Sequence, residues 1–215
     1  MRVDIVSDTI CPWCYIGKRR FERAVAERRA NDTLDVVWWP FQLNPQMPSE
    51  GMERQTYLVE RFGSTERAME IYRQVEAAGR NEGIPFAFDR IKRTPNTLSS
   101  HRLIGFAADT GRQSDLVEAL FRRYFERGED IGDIDVLVEG AIEAGLDGAA
   151  ARSFLMSDLG REEILAGDAA ARRLGINGVP CFIVNQRYAV SGAHEPEVFA
   201  RVFSVADVGD ETATG

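Results

Sequence analysis

The chain has 215 residues, of which 44% are hydrophobic and 28% charged, and its formal net charge is −8. This is the composition of an ordinary globular protein with enough apolar side chains for a core. Neither a cluster of lysine and arginine residues nor a run of about 18 apolar residues is present, so neither nucleic acid nor a membrane is an expected partner.

The N-terminal part predicts the order strand, helix, strand. Residues 2–7 alternate apolar and polar side chains with the period of a strand. A helix is predicted next, with Phe21 on its buried face, Lys18 on its solvated face and Asn31-Asp32 at its end. Residues 34–45 are rich in β-branched and aromatic side chains and predict a second strand that prolines stop.

The middle of the chain, from about Met52 to Gly160, is helical in pattern almost throughout. Side chains suited to helix N-termini come before the predicted helices, and glycines suited to left-handed C-terminal caps follow them. The N-terminal candidates are Ser64, Asn96 or Thr97, Ser114, Asp133 and Asp147, and the glycines are Gly83, Gly111, Gly128 and Gly145. Residues 83–95 predict an irregular loop with apolar content.

The last third returns to mixed α and β patterns. A helix is predicted from about Arg161 to Leu174, and a hairpin of two short strands around residues 185–187 follows it. A final helix is predicted over residues 195–203, and residues 204–215 predict a frayed acidic tail.

These patterns indicate one α/β unit interrupted by an inserted helical domain. The α/β unit comprises residues 1–48 and 160–215, and the insertion comprises residues 49–159. Residues 1–8 lead into a strand without the features of a secretion signal. If this is the native start, the chain is expected in the cytoplasm, where thiols are kept reduced.

Two of the three cysteines lie in the sequence Cys11-Pro12-Trp13-Cys14, where the first strand meets its helix. Residues at i and i+3 share a helix face, so the two sulfurs can meet or form a disulfide. Unpaired backbone N–H groups at the helix start stabilise a thiolate on Cys11, and Pro12 suits an early helical position. An exposed nucleophile at Cys11 and a shielded resolving thiol at Cys14 are what thiol–disulfide exchange requires.

Other interpretations of the cysteines stay open on these grounds. A zinc site needs four ligands, and only Cys181, His101 and His194 could join the pair, so no metal is expected. An inert pair of thiols would make the position at the helix start a coincidence. Cys181 itself is expected to be a small buried hydrophobe, with a third redox-active thiol as the alternative.

The motifs resemble those of the DsbA-type thioredoxin-fold family. The segments concerned are CPWCYIGKRRFE after a short strand and GVPCFIVNQRYAVSGAH near the end, together with PFQLNP (residues 40–45) and NTLSSHRL (residues 96–103). The chain most resembles the FrnE-like cytosolic branch, which is related to 2-hydroxychromene-2-carboxylate isomerases and kappa-class glutathione transferases. The resemblance covers nearly the whole chain and implies an α/β thioredoxin fold (βαβ…βββα) with a large all-helical insertion.

The resemblance also assigns roles to residues around the dithiol. It implies a cis Val179–Pro180 bond that faces the cysteines, with the Val179 backbone beside Cys11 to pair with an extended substrate. Asn44 and Ser191 match positions near the glutathione site of the relatives, and His101 matches a family landmark that can face the groove, with helix packing as the alternative. The substrate-binding candidates are therefore Pro12, Trp13, Val179, Pro180, Asn44, His101 and Ser191.

The expected function is thiol–disulfide exchange, catalysed by Cys11 and Cys14. The related isomerases and transferases typically carry serine at the position of Cys11, whereas this chain keeps the redox pair. The expected partners are disulfide- or thiol-containing proteins and an unidentified reductase or oxidant, with no tightly bound cofactor. One alternative is a glutathione-dependent isomerase or transferase with glutathione as co-substrate, and another is a chaperone-like module that binds polypeptide. A homodimer is among the oligomeric states that the sequence leaves open.

Overall fold

Strands from both ends of the chain meet in one central sheet. The computed structural model describes residues 1–28 and 34–213, which contain six strands and nine α-helices. In chain order these are β1 (Arg2–Ser7), α1 (Pro12–Ala26), β2 (Asp35–Pro40), β3 (Met52–Glu53), α2 (Arg54–Phe62), α3 (Thr65–Asn81), β4 (Arg93–Thr94), α4 (Leu98–Phe106), α5 (Gln113–Phe121), α6 (Ile134–Glu143), α7 (Gly148–Met156), α8 (Arg161–Arg173), β5 (Cys181–Val184), β6 (Tyr188–Ser191) and α9 (Pro196–Ala213). A π-helical segment, Arg122–Arg127, continues α5.

The sheet has four strands in the order β2-β1-β5-β6. β1 and β2 are parallel because α1 crosses between them, and β5 pairs with β1 and β6 in antiparallel fashion. This is the α/β thioredoxin arrangement with helices inserted between β2 and β5, as predicted. Two strands, β5 and β6, rather than the expected three follow the helical part within the described residues, and residues 175–180 contain no strand. The domain boundaries at residues 48–49 and 159–160 stay a prediction.

The two faces of the sheet are covered by different helices. On one face the ring of Phe21 in α1 stacks on Phe182 in β5 at 5.4 Å, and Phe199 of α9 packs edge-on against Phe182 at 4.8 Å. On the other face Cys181 packs with Val6, Phe41 and Ala171 of α8. Alternation along β5 therefore directs Phe182 towards α1 and its neighbour Cys181 away from α1.

The helical part of the chain docks directly on α1. Tyr15 stacks on Phe121 of α5 at 5.0 Å, and its hydroxyl donates to Glu126 at 2.7 Å. Lys18, predicted to be solvated, is only 4% exposed, and its ammonium pairs with Glu22 at 2.5 Å and with Glu118 of α5 at 2.8 Å. The prediction for Lys18 was wrong because α5 covers the face of α1 that its polar sequence pattern assigned to water.

Helix ends agree with the predicted caps in most places. The side chains of Ser64, Asp133 and Asp147 each accept a hydrogen bond from a backbone N–H in the first turn of α3, α6 and α7. The side chain of Asn96 accepts from the Leu98 N–H at the start of α4, while Thr97 occupies the cap position. The four predicted C-terminal glycines all have positive φ angles, from 70° to 83°.

Three other sequence expectations need correction. Ser114 does not cap α5, which begins after Arg112; its hydroxyl instead accepts from the Trp38 indole N–H at 2.9 Å. The loop of residues 83–95 contains β4, which pairs with β3. The acidic tail is helical as far as Ala213, because Phe203 and Ala206 continue the buried face of α9.

The expected end of α1 at Asn31-Asp32 lies outside the described residues, and α1 itself ends at Ala26. The final two residues, 214–215, also lie outside them.

Gly17 lets α1 approach the loop that carries Pro180. A Cβ atom at this position would lie 2.9 Å from Pro180 Cγ, 3.3 Å from Phe182 Cζ and 3.4 Å from Ala193 Cβ. These contacts are tighter than a packed core normally allows, so only glycine fits without displacement of its neighbours.

We expect Gly17→Ala to destabilise the protein by about 1–3 kcal/mol, although alanine is the better helix former. Gly105→Ala in α4 is the matched control, because its Cβ would meet only Ile164 Cδ1, at 3.6 Å. That change should be neutral or stabilising by up to about 1 kcal/mol. Urea unfolding of both variants measures the difference, and equal effects at the two positions would contradict this account.

Candidate active site

The dithiol lies at the N-terminus of α1. Cys11 is the N-cap residue with extended backbone (φ −91°, ψ 111°), and Pro12 is the first helical residue. The Cys11 N–H donates to the Asp8 carbonyl at 3.1 Å, and the Cys14 N–H donates to the Cys11 carbonyl at 3.0 Å. The turn Asp8–Cys11 therefore presents Cys11 where the unpaired N–H groups of the helix begin, as the spacing predicted.

Cys11 is more enclosed than the sequence suggested. It is 5% exposed rather than open, because the loop before β5 lies against its sulfur. The thiol is 3.6 Å from the Val179 carbonyl oxygen, to which it donates, and the Val179–Pro180 bond is cis. The start of α1 and the loop before β5 thus bring together Cys11, Cys14, Val179 and Pro180, as expected.

Cys14 is fully enclosed one turn deeper. Burial raises the pKa of its thiol well above the usual range, and a hydrogen bond with Cys11 and the charge of that neighbour raise it further. Hydrogen bonds from the Ser7 side chain and the Asp8 backbone offset only part of this. Near neutral pH Cys14 is therefore a protonated thiol within hydrogen-bonding range of Cys11.

A buried carboxylate that sequence reasoning missed supports the turn before Cys11. Asp8 Oδ1 is 3.2 Å from His101 Nε2, and Asp8 Oδ2 accepts from the Leu43 N–H at 2.7 Å. The Thr9 hydroxyl is also 2.8 Å from the Ser100 hydroxyl. The dithiol segment is thereby fixed to α4. The available signal was an aspartate at the end of a strand, three residues before Cys11.

His101 lies behind the dithiol rather than in an open groove. It is buried, and its imidazole contacts Asp8 across 93 residues of sequence. The position of His101 therefore agrees with the interpretation as a helix-packing residue. It also has a hydrogen-bond partner, Asp8, in the turn before the dithiol. Trp13 is 39% exposed between the two cysteines, as expected, and Pro12 beside it is partly buried.

Asn44 and Ser191 contact residues other than the two cysteines of the dithiol. The Asn44 side chain donates to the Tyr57 hydroxyl at 3.4 Å and lines a cavity of about 270 Å³ beside α2. Ser191 precedes Gly192, whose N–H donates to the Pro180 carbonyl at 2.8 Å. Within the described chain, neither side chain hydrogen-bonds to a cysteine of the dithiol.

Cys181 is separated from the dithiol by the sheet. Its side chain is buried on the face opposite α1, and its sulfur is 3.8 Å from the Ser191 hydroxyl. Burial raises the pKa of this thiol. The interpretation as a small buried hydrophobe agrees with this position. Among the residues described, no group of three or more His, Cys, Asp or Glu side chains could hold a metal ion.

Comparison with known proteins agrees with this geometry. A family model for the DSBA-like thioredoxin domain matches residues 2–204. The crystal structure of a probable DsbA oxidoreductase from Streptomyces coelicolor is 35% identical, with a TM-score of 0.86, and the match covers 96% of this chain and 89% of that one.

Two more distant structures share the fold. A 2-hydroxychromene-2-carboxylate isomerase gives a TM-score of 0.71 at 16% identity, covering 100% of this chain and 98% of its own. The cytosolic disulfide reductase DsbM from Pseudomonas aeruginosa, whose structure contains GSH, gives 0.67 at 18% identity, with 95% and 98% covered. At these identities the likeness concerns the fold alone.

The raised pKa of Cys14 predicts a loss of stability in alkali. Above about pH 8.5 the unfolded chain releases a proton that the folded chain keeps, so the free energy of unfolding falls as pH rises. The slope approaches about 1.4 kcal/mol per pH unit for this group. Urea unfolding of the reduced protein at pH 7.5 and 9.5 should show this loss of unfolding free energy. The measurement is made in a Cys181→Ala background, because the pKa of Cys181 is also raised. Adding Cys14→Ala should flatten the slope, and an unchanged slope would contradict the assignment.

Removal of the His101 imidazole should leave the buried Asp8 carboxylate short of a partner. We expect His101→Leu to cost at least about 2 kcal/mol in the free energy of unfolding. The double variant Asp8→Asn, His101→Leu should recover part of that loss, because it buries no unpaired carboxylate. Urea unfolding of the double-mutant cycle provides the measurement, and strictly additive effects would contradict coupling between the two residues.

Proposed function

Because this chain belongs to the DSBA-like thioredoxin domain family, we propose that it is a thiol–disulfide oxidoreductase that works through Cys11 and Cys14. One observation carries the proposal. A cysteine at the N-terminus of α1 lies within hydrogen-bonding range of a second, buried and protonated cysteine, and the Val179 carbonyl lies against the first sulfur. This arrangement supplies a nucleophile, a resolving thiol and a backbone group that can pair with an extended substrate.

In the reducing direction, the Cys11 thiolate attacks one sulfur of a substrate disulfide. That S–S bond breaks, a mixed disulfide forms with Cys11, and the other substrate sulfur leaves as a thiolate. Cys14 then loses its proton and attacks the Cys11 sulfur, which releases the second substrate thiol and leaves a Cys11–Cys14 disulfide. The substrate gains two electrons, and an external thiol reductant restores the pair. In the oxidising direction the same steps run in reverse.

The surroundings suggest how substrate meets the sulfur. Trp13 is exposed beside the dithiol, and Pro12 and Val179 are partly buried next to it. These residues form the proposed contact surface for disulfide- or thiol-containing proteins, with Pro180 behind them. The proposed compartment is the cytoplasm, which is also that of the DsbM reductase. Among the residues described, no helix combines the length and apolar character that crossing a bilayer requires. A homodimer stays a prediction.

Glutathione is the second candidate partner. The DsbM structure contains GSH, and the fold is shared with an isomerase. In a glutathione-dependent isomerase or transferase, Cys11 would activate the bound thiol and Cys14 would have no role. Asn44 and Ser191 are the proposed glutathione contacts. The chaperone-like alternative would need neither cysteine.

The reductase assay on insulin, with dithiothreitol as reductant, separates these functions. We expect Cys11→Ser to reduce catalysed turnover to the background rate, because the attacking sulfur is lost. In a separate incubation without dithiothreitol, Cys14→Ser should instead accumulate a mixed disulfide with substrate, visible by non-reducing electrophoresis, because no second thiol resolves it. Cys181→Ala is the matched control and should keep full activity.

Contrary results would point to the other candidates. Equal insulin reduction by the parent and by Cys11→Ser would overturn the proposal. Full turnover of a glutathione-dependent isomerisation in Cys14→Ser, with glutathione binding seen by calorimetry at millimolar concentration, would favour the isomerase. Suppression of aggregation that survives loss of both cysteines would favour the chaperone-like module.

A further inference from the structure

Arg54 is a buried cation without an acidic partner. It is 7% exposed at the start of α2, and no carboxylate in the described chain lies within ion-pair distance of its guanidinium. Its hydrogen bonds go to neutral hydroxyls: Thr94 at 2.8 Å, Tyr72 at 2.6 Å and Tyr124 at 3.4 Å. Burial of a charge without a counter-charge is costly, so such a residue suggests a missing anion.

Two other buried arginines of the described chain have their charge balanced or all their nitrogens bonded. Arg123 pairs with the carboxylates of Glu129, Glu139 and Glu143, although its Nε also has no acceptor. Arg102 has no carboxylate, but all three of its guanidinium nitrogens donate to backbone carbonyls of residues 154–159. Arg54 has neither arrangement: besides its hydroxyl partners, its guanidinium lies over the rings of Tyr57 and Tyr72, at 5.4 and 5.3 Å from their centroids.

The unused donor of Arg54 that can face a ligand is on Nη2. Nη2 has two N–H bonds and only the Tyr72 hydroxyl as acceptor, whereas the Nε–H, which also has no acceptor, is closed off from solvent. A hydrogen bond from a guanidinium to a carboxylate is charge-assisted and stronger than one between neutral groups. The Tyr72 hydroxyl accepts from Arg54 and has no described acceptor for its own proton, so it is a further donor. Burial raises the pKa of Tyr72, which keeps that proton in place.

Arg54 and Tyr72 line a groove with a volume of about 570 Å³ between α2, α3 and residues 88–92. This size is typical of small-molecule sites. The groove is walled by the apolar side chains of Leu58, Met69, Phe88 and Ile91, and the Tyr72 ring stacks on Phe88 at 4.4 Å.

The rim of the groove limits the charge of its ligand. It carries the acidic residues Glu53, Glu76 and Asp89 and the basic residues Arg73 and Lys92. The Glu53 carboxylate accepts from the Thr56 N–H at 2.8 Å and so caps α2 instead of pairing with Arg54. With charges of both signs on the rim, a multiply charged anion such as a nucleotide is disfavoured, whereas one carboxylate on an apolar body fits.

We propose that this groove binds a small carboxylic acid with an aryl or alkyl body. The carboxylate meets the Arg54 guanidinium and the Tyr72 hydroxyl, and the body lies on Leu58 and Phe88. The site is independent of the dithiol and of the function proposed for it.

Calorimetric titration of the full reduced chain with 4-phenylbutyrate tests the proposal, with neutral 4-phenylbutanamide as the matched ligand. We expect saturable binding of the acid and at least about tenfold weaker binding of the amide, because the charge-assisted hydrogen bonds are lost. Tyr72→Phe should weaken binding of the acid while it keeps the ring stack. Arg73→Gln on the rim should leave it within about twofold.

Arg54→Gln should abolish binding of the acid, but this buried change can also disturb the fold. Leu58→Trp therefore fills the groove and leaves Arg54 in place, and it should abolish binding as well. Three results would each overturn the site. The first is absence of binding to the parent at about 10 mM probe, which is on the order of the weakest affinities of interest. The others are equal affinity for the acid and the amide, and full binding of the acid in Leu58→Trp. Cys11→Ser should bind the acid like the parent, which separates this result from failure of the redox proposal.

Discussion

The dithiol is held by the buried carboxylate of Asp8. The Asp8 backbone carbonyl accepts a hydrogen bond from the Cys11 N–H, and the Asp8 backbone also contacts the Cys14 sulfur. The Asp8 side chain is hydrogen-bonded to His101 and to the Leu43 N–H. One residue therefore connects the end of β1, the segment after β2, the inserted helix α4 and both cysteines. A carboxylate so enclosed is tolerated only because its oxygens are bonded, and that requirement determines where the turn before α1 can lie.

The helix that carries the dithiol packs against the sheet and against the inserted helices within one continuous core. Phe21 packs against β5 and α9, whereas Tyr15 and Lys18, closer to the cysteines, are enclosed by α5 and its glutamate. The inserted helices are thus part of the immediate support of the site rather than an appendage. Lys18 illustrates the cost of this arrangement, because an ammonium buried there is stable only with Glu22 and Glu118 in place.

What could be predicted from the sequence was local. Strand and helix periodicity and caps such as Ser64 depend on neighbours within a few residues, and most of these predictions were confirmed. The spacing of the cysteines correctly placed Cys11 at the start of α1, but it did not show that the loop before β5 covers the sulfur. Lys18 was misplaced because helical periodicity separates polar from apolar faces but does not show which polar face a distant helix will cover. The hydrogen bond between Asp8 and His101 and the neutral hydroxyl partners of Arg54 depend on residues 18 to 93 positions apart, for which a single sequence carries no signal. The helical tail was missed because its acidic composition concealed the spacing of Phe203 and Ala206.

The recessed position of Cys11 has a consequence for selectivity. If the proposed exchange takes place at Cys11, a sulfur that is 5% exposed and lies 3.6 Å from the Val179 carbonyl oxygen would favour a disulfide on an extended piece of chain. Under the proposed function, physical access to this sulfur, rather than recognition of any particular side chain, would then select among disulfide substrates.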